Sequence, residues 1–346
     1  MNSLARSNAL FLPACIAVAA LVFAGARLTG NDYVFFAGYT VLQFVVLATA
    51  WNLLGGMTGY VNFGAAAFFA CGAYSTVFFH KYYELPIPAL VVIGAVVSGL
   101  VGLGTGYLTL RLRGVYFAIA TLAMAVVLRT LVTNWDYVGG ARGAYVVRPA
   151  TFSWPDLPDA EFLKPLQPWV ETLQQYTEDL ALPYIQYLFL IMLAVAIVAV
   201  VVARTLERSR LGYGFATIRD DEVAAEASGV PTLRLKLIAT TLSGALMGMA
   251  GAPFPYYIGY LQPASAFALD YAVNSIAMPM IGGTTSWVGP VVGALLLGSL
   301  EQYVTVTVAS EVNLLIVGVL LVAFVIIAPN GLIGLWQRLV SFLKPT

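Results

Sequence analysis

The sequence predicts an all-α protein, a polytopic bundle of about ten transmembrane helices with some spans broken or re-entrant. Three observations carry this expectation. Sixty per cent of the residues are hydrophobic and only 10% are charged, a composition far from that of soluble domains. The apolar residues fall in runs close to the roughly 20 residues that one bilayer crossing needs. The charges collect between the runs, above all in one island, Arg208–Lys236.

Ten runs qualify as candidate spans: 9–26, 34–54, 61–80, 89–110, 115–133, 184–203, 237–258, 269–283, 289–308 and 313–328. Segments 269–283 and 313–328 are short for a full crossing and read as tilted or re-entrant pieces. The first run follows Arg6 and contains Pro13; it is long for the apolar core of a signal peptide, which favours a retained helix. Alternation from an inside amino terminus puts eleven basic residues in the cytoplasm, Arg113, Arg219 and Lys236 among them. Five lie outside: Arg27, Lys81, Arg142, Arg148 and Lys164. That asymmetry obeys the positive-inside rule. The whole of 1–346 then forms a single permease-like membrane domain, with an outer loop at 134–183 and a cytoplasmic loop at 204–236.

Residues 52–64, NLLGGMTGYVNFG, interrupt the apolar pattern with Asn52, Gly55, Gly56, Thr58, Gly59 and Asn62. They read either as a break lining a transport path or as a tight cytoplasmic turn between spans. Gly102 and Gly106 make a small-xxx-small pair for close helix packing, and Tyr116 and Phe117 suit an interfacial belt. Arg129 stands near the outer end of its span, where it can snorkel outward or meet a substrate carboxylate. The outer loop is rich in proline and acid, with Trp154 and Trp169 and a possible amphipathic helix at 166–180. It is either a dock for an external protein or a passive lid. Gly244, Gly248 and Gly251 mark another packing face, ended by Pro253 and Pro255. Residues 282–288, GGTTSWV, echo 55–61, GGMTGYV, hinting at an internal duplication. Glu301 is an acid deep in a predicted span, suited to a buried hydrogen bond or a polar pathway.

The cytoplasmic island reads as ordered. Asp220 suits a helix cap, Asp221 and Glu222 suit the first turn, and Gly229 with Pro231 ends it. A helix of roughly two to three turns follows, too short to stand alone in water. Its small apolar face, Val223, Ala224 and Ala227, suits docking against a partner; an ordinary solvated loop is the plainer reading.

Other functional classes lack their residues. No phosphate-binding glycine loop occurs, and Cys15 and Cys71 sit inside apolar spans as small hydrophobes. His80, the only histidine, stands at a span end without a cysteine or acidic cluster, so neither a metal site nor a catalytic set is expected. Zero net charge and the lack of a basic tail argue against nucleic acid.

The chain resembles permeases of the branched-chain amino acid ABC importer family, the LivM type, over roughly Tyr33–Asn330. The island carries RSRLG and IRDDEVAAEASGV, then a lysine before the next span. NLLGGMTGYVNFG followed by AAFFACGAY, RLRGVYFAIATLA, the Gly139–Gly140 pair and GGTTSWVGPVVGA add to the likeness. The chain departs from many members at Tyr60, Asn62, Ala65 and Thr285. The resemblance implies that the island is a coupling helix fitting a cleft on a separate ATPase, with Arg219, Asp220, Asp221, Glu222, Ala225, Glu226 and Gly229 at the contact. It favours a translocation pathway at Asn52, Gly56, Thr58, Gly59, Asn62 and Glu301. It implies a bacterial inner-membrane subunit that is not an enzyme and binds no cofactor, ATP being bound by a partner. The implied partners are a second, non-identical permease, two ATPases, a periplasmic substrate-binding protein and membrane lipid. A stand-alone secondary transporter or channel is the rival expectation.

Overall fold

The computed structural model describes residues 2–147 apart from 82 and 84, residues 183–307, and scattered positions from 315 to 335; side chains are described from residue 11 onward. The expected helix at 166–180, Trp154, Trp169 and most of the span at 313–328 lie outside the described residues.

Helices run α1 Asn2–Leu28, α2 Asp32–Thr58, α3 Ala65–His80, α4 Ile87–Thr109 and α5 Val115–Thr133. A short strand follows, β1 Ala144–Tyr145. Then come α6 Tyr184–Glu207, α7 Arg210–Asp220, α8 Glu222–Ala227 and α9 Thr232–Gly251. The chain continues through α10 Phe254–Ile258, β2 Tyr260–Leu261, α11 Pro263–Ala266, α12 Leu269–Gly282 and α13 Val288–Thr307. Six helical segments are long and apolar enough to cross a membrane: Phe11–Leu28, α2, α4, α5, α6 and Thr232–Ile258. α3 is apolar but has 16 residues, and α12 has 14. The described residues thus show a multi-pass helical protein with six helical segments long and apolar enough to span a membrane; the expected count of about ten is not confirmed.

α2 is the central helix, packed by α6, α9, α12 and α13. It runs unbroken through Gly55 and Gly56, so the break expected from Asn52 onward begins only at Gly59. Helical glycine costs roughly 1 kcal/mol; here close packing offsets it. Gly55 leaves room for the Trp51 ring, whose Nε1 reaches down to the Asn62 carbonyl at 2.8 Å. A Cβ on Gly56 would lie 2.9 Å from the Thr284 carbonyl oxygen.

α3, α4 and α9 meet almost backbone to backbone. A Cβ on Gly72 would run into the Gly248 carbonyl, and one on Gly248 into the Gly94 carbonyl. Ser98 adds a cross-helix bond to the Phe68 carbonyl at 2.8 Å. Phe23, Phe35 and Phe189 seal α1 and α6 against α2. Tyr116 is exposed as an interfacial residue would be, but Phe117 is buried, because its ring packs edge-on against Tyr60.

One end of the bundle gathers the turns 59–64, 110–114 and 283–287 with the island. The other carries β1 paired antiparallel to β2 (Ala144 opposite Leu261, Tyr145 opposite Tyr260) and the Tyr256 hydroxyl at 3.0 Å from His80 Nδ1. That division sets the island at the same end as these turns, opposite the β1–β2 pair.

Candidate functional site

The island folds as two helices. The Ser209 hydroxyl oxygen caps α7, accepting from Leu211 N at 3.1 Å and Gly212 N at 3.3 Å. Asp221, one residue later than expected, caps α8 by accepting from Val223 N at 2.9 Å and Ala224 N at 3.0 Å. Asp220 cannot do so because it is the last residue of α7. α8 has six residues, shorter than the two to three turns expected, because its end closes early. Gly229 turns the chain at φ +82°, Gly229 N donates to Glu226 O at 2.9 Å and Val230 N to Ala225 O at 3.0 Å, and Pro231 follows.

A helix of this length needs tertiary support, and a buried charge cluster supplies it. Lys236, in the second turn of α9, is 3% exposed. Its ammonium donates to Glu222 Oε1 at 2.7 Å, the Tyr60 hydroxyl at 3.0 Å and the Leu110 carbonyl at 3.1 Å. Three protons thus meet three acceptors. The same ammonium lies 4.6 Å from the centre of the Tyr60 ring, a cation–π contact. Tyr60 in turn donates from its hydroxyl to Glu222 Oε2. Arg113 stands 3.6 Å from Glu222 Oε1 and 3.2 Å from Glu226 Oε2, and the Thr232 hydroxyl donates to Glu226 Oε1 at 2.8 Å. α8 is therefore tied to the α2–α3 turn, the α4–α5 turn and α9 at once.

Electrostatics follows from this packing. Burial pushes the Glu222 carboxyl up. Hydrogen bonds from Lys236 and Tyr60, with the charges of Lys236 and Arg113, outweigh it and hold the group below its ordinary value of 4.5. Burial, then the bond to Glu222, pushes the Tyr60 phenol up, so it stays a donor.

Of the residues expected at an ATPase contact, Asp220, Asp221, Glu226 and Gly229 are exposed, as are Val223, Ala224 and Ala227. Arg219 is partly covered, stacked along Gly59, whose φ of +79° ends α2. Glu222 and Ala225 face inward instead: the Glu222 side chain is 12% exposed and Ala225 5%. Helical geometry explains the split, since residues three apart share a face. Sequence reasoning missed the inward face because neither the burial of Lys236 nor its partners Tyr60 and Arg113 is written locally. The available signal was a lysine immediately before an uncharged apolar run.

The expected pathway residues divide. Asn52 and Gly56 are buried in α2, and Thr58 bonds back to the Leu54 carbonyl at 2.6 Å. Gly59–Gly64 is a tight turn in which Asn62 Oδ1 accepts from Gly64 N at 2.7 Å. Glu301 is buried in α13, apart from that turn, with Asn274 Nδ2 donating to it at 3.4 Å. Arg129 is exposed on α5. Gln43 Nε2, Thr49 Oγ1, Asn52 Oδ1 and Ser243 Oγ are buried with no hydrogen-bond partner among the described residues. No group of three His, Cys, Asp or Glu suited to a metal occurs among the described residues.

A multi-pass bundle with buried polar groups on its central helix, and an ordered charged segment clamped to the turns at one end, has the build of a membrane transport permease. The family described as branched-chain amino acid transport system, permease component, matches residues 33–325, and the chain belongs to it. The high-affinity branched-chain amino acid transport system permease protein LivM of Salmonella typhimurium is 28% identical over 299 residues, 84% of this chain and 67% of that protein. LivM of Escherichia coli K12 matches equally. A probable branched-chain amino acid transport permease LivH of Methanocaldococcus jannaschii is 24% identical over 319 residues, covering 87% of this chain and 91% of its own length. No solved structure matches the chain.

Proposed function

We propose that this chain is the membrane subunit of an ATP-driven importer of branched-chain or related hydrophobic amino acids, seated in a bacterial inner membrane. The observation that carries the reading is α8: a short helix with an apolar outer face, Val223, Ala224 and Ala227, held by its inner face to two inter-helix turns and to α9. Such a helix suits a lever driven from outside the membrane. Separate ATPase subunits bind and hydrolyse ATP, and this chain binds none. Asp220, Asp221 and Gly229 flank the face offered to the ATPase, while Glu222 and Ala225 pass movement inward.

Buried groups of Gln43, Thr49 and Asn52 on α2 and of Ser243 on α9, without a hydrogen-bond partner among the described residues, support a solute path through the bundle. Groups left unpaired in an apolar interior cost free energy unless water or solute satisfies them. An external binding protein delivers the solute, and a second permease chain supplies the other wall. The relatives named for branched-chain amino acids support that substrate class.

Gentle purification from native membranes tests the proposal. A co-purifying ATPase and a second permease-like chain are expected. A lone chain that moves solute in liposomes without ATP would replace it with a secondary transporter.

A further inference from the structure

The two look-alike stretches, 55–61 and 282–288, come together in space. The Thr284 carbonyl sits against Gly56, so the turns after α2 and after α12 form one platform at the cytoplasmic end. The aromatic residue at the same position of each echo is gripped at one border of the island, Tyr60 by the island itself and Trp287 by the end of α6 just before it. Tyr60 donates to Glu222, with Lys236 over its ring at 4.6 Å. Trp287 donates its backbone N–H to Glu207 Oε2 at 2.6 Å, and the Arg204 guanidinium lies 5.8 Å from its ring centre. Arg204 also stacks on Phe11 at 3.7 Å. Each grip therefore has the same two parts, an acid accepting a hydrogen bond and a cation beside the ring. Glu207 closes α6 and Lys236 lies in the second turn of α9, so the two grips bracket the segment 207–236.

We propose that Tyr60 and Trp287, held by Glu222–Lys236 and Glu207–Arg204, are paired positioning residues that deliver movement of the cytoplasmic segment to α2–α3 and α12–α13 together. This rests on the importer reading given above. Charge-assisted bonds are the strong ones at such a junction. The second turn is stiff enough to receive them, because Gly283 and Gly289 press backbone against backbone. A pull on α8 then tilts both helix pairs as one body, and losing either grip leaves half of the platform behind.

The test uses the complete transporter in liposomes. Glu207→Ala removes the second grip, and Tyr60→Phe removes only the hydroxyl of the first. Each is expected to keep its ATPase partners and hydrolysis while transport per ATP falls about tenfold, within the usual range of coupling between sites. The double variant is expected to fall little further, because residues acting as one unit are not additive. A second readout is the distance between spin labels at the exposed positions Tyr213, on α7, and Thr285. It is expected to stay constant in the parent between nucleotide-free and ATP-bound states, and to change in Glu207→Ala. Parent-like transport per ATP in Glu207→Ala would overturn the proposal, as would labels that separate in the parent. If Glu207→Ala fails to insert, the parent distances alone decide. Absence of any ATPase in the purified complex would instead sink the importer reading itself.

Discussion

Lys236→Met is the most informative single change. Methionine keeps the length of the stem but removes three hydrogen bonds, to Glu222, Tyr60 and the Leu110 carbonyl. Breaking a buried ion pair from one side costs roughly 3–5 kcal/mol, because the remaining charge stays desolvated. An orphaned buried carbonyl adds about 1–3 kcal/mol. Glu222 keeps Tyr60 and has Arg113 at 3.6 Å, and its side chain is 12% exposed, so partial relief is available. A net loss of about 3 kcal/mol results once that relief is set against the burial penalty. Thermal denaturation in detergent, followed by loss of monodisperse protein, reads this directly. Lys236→Met/Glu222→Leu replaces both charges with apolar groups and should regain about 1–2 kcal/mol of the single-variant loss, since paired removal avoids the lone charge while the Leu110 carbonyl stays orphaned. A single-variant loss below about 1 kcal/mol, or simple additivity in the double variant, would refute the buried-pair reasoning.

Three further outcomes are expected. The Glu222 carboxyl is held below 4.5, so its contribution to stability is fully present above that value and drains away as pH falls through the lower folded value. Detergent melting curves taken toward acid pH should show this loss in the parent and a flatter profile in Glu222→Gln; superimposable profiles would contradict it. Gly72→Val drives a side chain into the Gly248 carbonyl and should abolish folded, membrane-inserted protein, because backbone cannot yield as a side chain can; normal yield would disprove the close approach of α3 and α9. Val223→Asp changes an exposed position of α8 and should leave melting unaltered while the ATPase is lost on purification; retained ATPase would move the contact elsewhere.

Much of the site was legible as position and little as orientation. Composition and run length predicted a helical membrane protein, and the charged run Arg208–Lys236 was readable as an ordered segment between two spans. Gly229 and Pro231 correctly marked an ending. The cap was misassigned by one residue because Asp220 and Asp221 are equally good caps; which one serves depends on where α7 stops. Gly55 and Gly56 suggested a break, yet α2 continues, since glycine permits close approach as readily as it permits a turn.

The residues alone determined that this chain crosses a membrane repeatedly and carries an ordered charged segment on one side, because solvation energies act residue by residue along the chain. Only the tertiary structure decided that Lys236, Glu222 and Tyr60 form one buried cluster and that the two glycine-rich echoes touch. Those facts join positions up to 228 residues apart, from Gly56 to Thr284. Local propensity carries no information about such pairs. They exist because α2 packs at the centre of the bundle, against α6, α9, α12 and α13, and so meets elements distant in the chain.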